Sequence, residues 1–157
     1  MRIAAIDPAY GKPCTIAIVD EDETLVYLAK FKHSFSGLEL SALKKQFKFK
    51  KLYLESNWYG LNVLTLQRLS EVVGWIRSAA MLNGIEIEMV SPRSWQNKIP
   101  GFNNTTGTVR ANIIITLARS MARVKGDLDA DEAAAIHIGY YAIRKIKAEN
   151  ITGGGKP

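Results

Sequence analysis

Short apolar runs separated by turn residues fill the first thirty positions. The runs at 2–6, 15–19 and 24–29 are rich in aliphatic residues, a pattern typical of buried strands. An Asp-Pro pair ends the first run, and the acidic residues 20–23 separate the second run from the third. Such short polar connections predict an antiparallel meander of three strands.

Helical and strand patterns alternate along the rest of the chain. Helices are predicted at 36–46, 61–83, 108–123 and 129–147, with a short helix starting at Ser91-Pro92 and strands at 52–54 and 85–90. A meander followed by alternating strands and helices predicts an α/β fold, a mixed five-stranded sheet with helices on both faces. We expect residues 1–150 to form a single domain and residues 151–157, which are rich in Gly, to form a flexible tail.

Composition and charge narrow the class of protein. The 157 residues, 47% hydrophobic and 23% charged, suit one globular domain. A single cysteine excludes a disulfide framework and a cysteine-based zinc site. No apolar run reaches the roughly 18–20 residues that a membrane span needs and no signal-peptide pattern is seen, so we expect a cytoplasmic protein without membrane contact. The net charge of +6 favours a polyanionic partner such as nucleic acid.

Two acidic residues stand at the ends of predicted strands. Asp7 follows the run at 2–6, and Glu55 follows the strand at 52–54. Parallel central strands end at the same edge of a sheet, so neighbouring strands would bring the two carboxylates together. Carboxylates this close repel each other unless a cation lies between them, and Mg²⁺ prefers oxygen ligands. Each residue also has a purely structural explanation, because Asp7 precedes a proline in a turn and Glu55 can cap a helix.

A third acidic group, residues 127–132, begins the last predicted helix. The helix dipole favours acidic residues in a first turn, so this group alone does not indicate catalysis. The small apolar residues at 133–139 favour close packing of the helix against the sheet, which would hold its first turn over the strand ends. Acids at two strand ends and one helix start together predict a metal-dependent active site.

Three segments resemble the motifs of a known family. Ile6-Asp7-Pro8-Ala9 resembles the first motif of the RuvC family of Holliday junction resolvases, Leu54-Glu55-Ser56-Asn57-Trp58 looks like its second, and Asp129 to Ile136 is similar to its third. The segment 91–96 and the helix after Gly107 follow in matching order, so the resemblance covers about residues 2–147. The chain length and a lysine-rich stretch near residue 48 suggest a phage-type member.

The resemblance implies a fold, an activity and partners. It implies the ribonuclease-H-like fold and a homodimer that cuts branched DNA, namely four-way junctions. It also implies hydrolysis that leaves 5′-phosphate and 3′-hydroxyl ends and depends on two Mg²⁺ ions per site, with Mn²⁺ as a substitute. The apolar face of the helix at 61–83 is the candidate dimer interface.

The third motif departs from the family pattern of two aspartates three residues apart. Asp129 with Glu132 keeps the spacing, but Glu replaces the second Asp, whereas a start at Asp131 places Ala134 at the second position. Asp127 with Asp131 is also possible, because residues four apart share a helix face. We expect Asp131 and Glu132 to lie nearest the metals, with Asp129 next. The predicted catalytic residues are Asp7, Glu55, Asp129, Asp131 and Glu132, all but Asp129 as metal ligands.

Aromatic and basic residues are candidates for DNA contact. Trp58 stands where the family carries an aromatic residue that stacks on junction bases, and stacking of this kind contributes about 1–3 kcal/mol per base. Two other tryptophans, Trp75 and Trp95, and the histidine His137 are interpreted as packing residues because they lie within helical patterns. The predicted phosphate contacts are Lys12, Arg93, Lys98 and Arg110.

Two alternatives remain open, and a third is excluded by the chain length. A ribonuclease H would use the same acids but cut RNA in hybrids, and a catalytically inactive DNA-binding module would retain binding alone. Actin-like and sugar-kinase ATPases also begin with an Asp beside a turn, but they need two domains, for which 157 residues are too few.

Overall fold

The computed structural model describes residues 1–32, 37–56 and 62–153. The strands are β1 (Arg2–Asp7), β2 (Cys14–Asp20), β3 (Leu25–Phe31), β4 (Lys51–Glu55) and β5 (Glu86–Val90). The helices are α1 (Gly37–Phe47), α2 (Val63–Leu82), α3 (Pro92–Gln96), α4 (Gly107–Ala122) and α5 (Ala130–Gly153), with a 3-10 turn at Phe102–Asn104. The predicted order of strands and helices is confirmed, and the loop predicted at 101–107 contains the extra 3-10 turn.

The five strands form one mixed sheet in the order β3-β2-β1-β4-β5. Strand β1 is antiparallel to β2 and parallel to β4, while β4 is parallel to β5. In the β1–β4 pair Ile6 lies opposite Leu54, so the residues that follow them, Asp7 and Glu55, end neighbouring strands at the same level. The prediction of an α/β fold with a mixed five-stranded sheet is confirmed.

Alternation along the strands divides the core into two layers. Ala4 and Ile6 of β1 point toward α1 and α2, whereas Ile3 and Ala5 point toward α3, α4 and α5. Because side chains alternate, Asp7 lies on the same face as Ile3 and Ala5, beneath α5. Helices therefore cover both faces of the sheet, and the end of β1 faces the start of the longest helix.

Helix α5 lies unusually close to the sheet. A Cβ atom added at Gly139 would lie 2.6 Å from Cγ2 of Val19. The small residues before it, Ala133 and Ala135, are fully buried. The small side chains of Ala135 and Ala142 on either side of Gly139 let α5 cross β1 and β2 at short range, which fixes the position of its first turn.

Two helix boundaries differ from the predictions by two residues or more. Helix α5 continues to Gly153 rather than ending at residue 147, so residues 151–153 are helical instead of part of a flexible tail. The Thr152 hydroxyl donates to the carbonyls of Ala148 and Glu149, which satisfies polar groups of the last turn. Helix α2 begins at Val63 because the Asn62 side chain accepts a hydrogen bond from the backbone N–H of Thr65. Residues 36, 61 and 154–157, which the predictions include, lie outside the described residues.

In the described ranges, none of the helices has the length and apolar character that crossing a membrane requires.

Candidate active site

Asp7 and Glu55 are in direct contact at the ends of β1 and β4. A side-chain hydrogen bond links the two carboxyl groups. Burial raises the pKa of Asp7 well above its ordinary value, and the neighbouring carboxylates of Glu55 and Asp131 raise it further. Burial also raises the pKa of Glu55. Two buried carboxyl groups this close repel each other when both are ionised, and a divalent cation between them would remove that repulsion.

Asp131, in the first turn of α5, is the third carboxylate of the site. It acts electrostatically on both Asp7 and Glu55. Its Oδ2 atom lies 2.6 Å from Nζ of Lys12, which is in the loop between β1 and β2. The positive charge of Lys12 lowers the pKa of Asp7, opposing the effect of the acids. The ends of β1 and β4 and the start of α5 thus converge, and the ammonium group of Lys12 lies among the three carboxylates.

Asp129 and Glu132 cap the start of helix α5 in this structure. Asp129 Oδ1 accepts from the backbone N–H groups of Asp131 and Glu132, and Glu132 Oε2 accepts from the N–H of Asp129 at 2.9 Å. This reciprocal arrangement is a capping box at the start of α5. Lys30 of β3 forms an ion pair with Asp129 and lies 4.0 Å from Glu132 Oε1. In this structure the cap engages Glu132, whereas Asp131 acts on Asp7 and Glu55, and the expectation that Asp131 and Glu132 lie nearest the metals, with Asp129 next, stays a prediction.

Trp95 contacts the site although it was expected only to pack. Its indole Nε1–H donates to Glu55 Oε1 at 2.6 Å, which lowers the pKa of Glu55 against the effect of burial. The sheet explains this contact, because Val90 pairs with Glu55 across β4 and β5, and Trp95 follows within the short helix α3. A residue so soon after the neighbouring strand end lies within reach of Glu55.

The remaining packing predictions have mixed outcomes. His137 is buried, and its Nε2 atom lies 3.0 Å from the Ile114 carbonyl oxygen, so this prediction is confirmed. The prediction that Trp75 packs in the core is wrong, because this residue is 58% exposed on α2. Its position in a helical pattern did not reveal that it falls outside the buried face.

The predicted DNA contacts are spread over several elements. Lys12 lies at the carboxylates, whereas Arg93 and Lys98 are exposed near α3. Helix α3 has five residues, and the Ser91 hydroxyl oxygen accepts a hydrogen bond from the Ser94 N–H. Arg110 lies 4.5 Å above the Phe102 ring. Trp58 lies outside the described residues.

The donor chemistry of the site fits a hard divalent cation. Asp7, Glu55 and Asp131 supply carboxylate oxygens, the ligands that Mg²⁺ prefers. Within the part of the chain that the structure describes, no three acidic, His or Cys side chains already form a set of metal ligands. Asp131 is held by Lys12 instead, so cation binding requires this ion pair to open.

A cavity of about 710 Å³ lies between α3, α4 and α5. Its walls include Trp95, His137 and Tyr140. Among the described residues that line it there is no carboxylate, so the cavity is distinct from the group of acids. The acids lie instead at the carboxyl ends of the central strands β1 and β4 and at the start of α5.

Comparison with known proteins identifies the fold. No protein-family model matches the sequence, and no curated protein matches it either. The RuvC structure of Thermus thermophilus in complex with a Holliday junction substrate matches with a TM-score of 0.69 at 13% identity, over 92% of this chain and 96% of that one. The fowlpox virus Holliday junction resolvase matches with a TM-score of 0.54 at 14% identity, covering 92% and 99%. The yeast mitochondrial resolvase Ydc2 matches with 0.53 at 13% identity, covering 93% and 80%. The chain thus has the ribonuclease-H-like fold of these proteins, as the sequence motifs imply.

Proposed function

We propose that this chain is an endonuclease that resolves four-way DNA junctions by metal-dependent hydrolysis of phosphodiester bonds. The observation that carries the proposal is the contact between the Asp7 and Glu55 carboxyl groups, with Asp131 acting on both. This group of acids lies in a fold shared with solved Holliday junction resolvases, two of which hold junction DNA. The net charge of +6 suits a DNA substrate.

The proposed cofactor is Mg²⁺, held by Asp7, Glu55 and Asp131, with Mn²⁺ as a substitute. When bound, Mg²⁺ lowers the pKa of a water ligand and stabilises negative charge on the leaving oxygen. Asp7, Glu55 and Asp131 would hold the cation as carboxylates, and its positive charge would offset the repulsion among them. The proposed products carry 5′-phosphate and 3′-hydroxyl ends.

Lys12 has two roles in this proposal. Without a cation, its ammonium group neutralises Asp131 at 2.6 Å. The side chain is 58% exposed, so it can turn away from Asp131 at small cost. Once released, the ammonium group is free to bind a phosphate of the DNA beside the acids.

Selectivity for junctions is proposed to come from a homodimer. Leu64, Trp75 and Leu82 are exposed and lie 11 and then 7 residues apart on α2, which places them on one face of the helix. The face that packs on the sheet holds other residues, including Val73 and Ile76. A second copy of the chain docked on this outer face would set two groups of acids at a fixed separation, which a four-way junction matches by its symmetry.

The proposal is tested by cleavage of labelled substrates. A synthetic four-way junction, a linear duplex of the same sequence and an RNA–DNA hybrid are incubated with the chain and Mg²⁺, then with a chelator. We expect nicks at symmetry-related positions of the junction, which the chelator abolishes. Preferential cutting of the hybrid would instead support a ribonuclease H, and junction binding without cutting would support an inactive binding module.

A further inference from the structure

Trp95 makes a buried polar contact with one of the proposed metal ligands. Its Nε1 atom lies 2.6 Å from Glu55 Oε1, and the side chain is 3% exposed. We propose that Trp95 is a positioning residue, which holds the Glu55 carboxylate in the orientation that binds the divalent cation. This inference rests on the proposed function, since it concerns the same site.

The indole ring is fixed on several sides. It stacks on the His137 ring with centroids 6.0 Å apart and planes 9° apart, and it lies 6.3 Å from the Phe102 ring. His137 is itself held by its 3.0 Å contact with the Ile114 carbonyl. The direction of the Trp95 N–H bond is thereby determined by residues of α3, α4 and α5, and not by Glu55 alone.

Helix α3 further restrains the indole from the backbone side. Ser91 caps the helix and Pro92 occupies its first position, which sets the backbone at the helix start. The strand before it, β5, is paired with β4, and Val90 lies opposite Glu55. Donor and acceptor are therefore attached to neighbouring strands, and their separation is built into the sheet.

The chemistry of the contact favours a positioning role over packing alone. An indole has a single donor and no acceptor, so it can only bind an oxygen lone pair of Glu55 and leaves the others available. A hydrogen bond from a neutral donor to a carboxylate is stronger than one between neutral groups. Hydrogen bonds of this kind to metal-binding carboxylates orient them, and their loss typically costs about 10- to 100-fold in metal affinity or activity.

The test compares Trp95→Phe with the parent chain. Phenylalanine keeps an aromatic ring in the stack but removes the N–H donor. We expect the Mg²⁺ concentration that gives half of the full rise in Tm to increase about tenfold or more. Junction cleavage should need correspondingly more Mg²⁺, with a smaller change in the rate at saturating Mg²⁺. A midpoint within twofold of the parent value would overturn the inference.

Tyr27→Phe is the matched control for metal binding. It removes one polar donor from an aromatic ring of β3 that pairs with Phe47 in the core layer on the opposite face of the sheet. We expect its Mg²⁺ midpoint to remain within twofold of the parent value. An equal change in both variants would show that the effect is not specific to the contact with Glu55, and would also overturn the inference.

A fluorescence measurement covers the case in which Trp95→Phe does not fold. The chain has three tryptophans, so the double variant Trp58→Phe and Trp75→Phe leaves Trp95 as the only indole. We expect Mg²⁺ to change the emission of Trp95, and the additional change Glu55→Gln to remove this response. Emission that is indifferent to Mg²⁺, in a chain whose Tm does respond, would refute the inference while leaving the proposed function standing. A parent chain whose Tm ignores Mg²⁺ would refute the proposed function itself.

Discussion

Gly139 of α5 lies against Val19 of β2 so closely that a Cβ at position 139 would be 2.6 Å from Cγ2 of the valine. A separation of this size is far inside van der Waals contact, and a β-branched side chain such as Val19 has little rotamer freedom with which to move away. The close approach carries the first turn of α5, and with it Asp131, toward the strand ends. Stability and site geometry therefore depend on the same contact.

Substitution of Gly139 by alanine should be destabilising. Alanine has the better helix propensity by about 1 kcal/mol, but overpacking costs about 1–3 kcal/mol and displaces the helix. We expect Tm to fall by several degrees and metal-dependent cleavage to weaken as Asp131 moves. Gly74→Ala is the control, since a Cβ at that position of α2 meets no atom within 4 Å. Gly74→Ala should be more stable than the parent chain. The double variant Val19→Ala/Gly139→Ala should recover the Tm that Gly139→Ala loses.

The contact between Asp7 and Glu55 predicts opposite effects on stability and activity. Asp7→Asn removes one buried acid from beside another, yet the Asn amide can still donate to Glu55. We expect the Tm measured in a chelator to rise by about 2–4 °C, the size of a typical single-residue effect. The rise in Tm with Mg²⁺ should disappear, and junction cleavage should fall by at least about 100-fold.

Retained binding of the junction by Asp7→Asn is the control for a folded protein. A gel shift with an uncleaved junction measures it without metal chemistry. A variant that cuts as well as the parent chain would contradict the assignment of Asp7, and a lower Tm in the chelator would contradict the account of repulsion between buried acids.

The sequence was sufficient to predict much of the fold and part of the site. Alternation of apolar runs and helical spacing depend on local periodicity, so they predicted the strand and helix order correctly. Asp7 and Glu55 were identifiable because an acid at the end of a buried strand conflicts with packing. Their contact depends further on β1 and β4 being neighbours, which the sheet order confirms.

The choice among the acids of the third motif could not be made from the sequence. Asp129, Asp131 and Glu132 lie within about one helical turn, so the rotation of α5 decides which one faces the strand ends. That rotation is set by the approach of Gly139 to Val19, a contact between residues 120 positions apart. Trp95 escaped prediction for a similar reason, because a hydrophobic pattern reports burial of the ring and not the partner of its N–H group.

A second charged contact predicts how stability depends on pH. Arg144 of α5 donates from Nε and Nη2 to Glu23 Oε2, at 3.1 and 2.7 Å, and these bonds hold the pKa of Glu23 below its ordinary value of 4.5. A carboxylate with a lowered pKa in the folded state stabilises the fold above its unfolded pKa, and this contribution is lost as the pH falls through the folded value.

Glu23→Gln should therefore lower Tm at neutral pH but not in acid. Arg144 is half exposed, so we expect a difference of no more than about 1 kcal/mol at pH 7. Thermal melts from pH 7 to pH 3 should show that the difference in Tm between parent and variant closes below about pH 4.5. A gap that stays constant over this range would show that the ion pair does not contribute.

The outer face of α2 predicts a dimer that can be taken apart without unfolding the chain. Leu64, Trp75 and Leu82 are 58%, 58% and 87% exposed, and they lie outside the buried face that holds Val73 and Ile76. Changing Trp75 and Leu82 together to glutamate places two charges on the proposed contact between copies. We expect sedimentation at about 10 µM to show a dimer for the parent and a monomer for this variant, with Tm changed by only a few degrees.

Loss of the dimer should also separate in time the cuts in the two symmetry-related strands of the junction. A monomer can nick one strand of a junction, but nothing then holds a second group of acids at the partner strand. We expect single nicks to accumulate and paired cuts to become rare at equal enzyme concentration. Val109→Glu provides the control, since it adds a charge at an exposed apolar residue of α4, on the opposite face of the sheet, and should leave the parent sedimentation unchanged. A parent chain that sediments as a monomer at this concentration, yet makes paired cuts, would exclude the proposed interface as the source of junction selectivity.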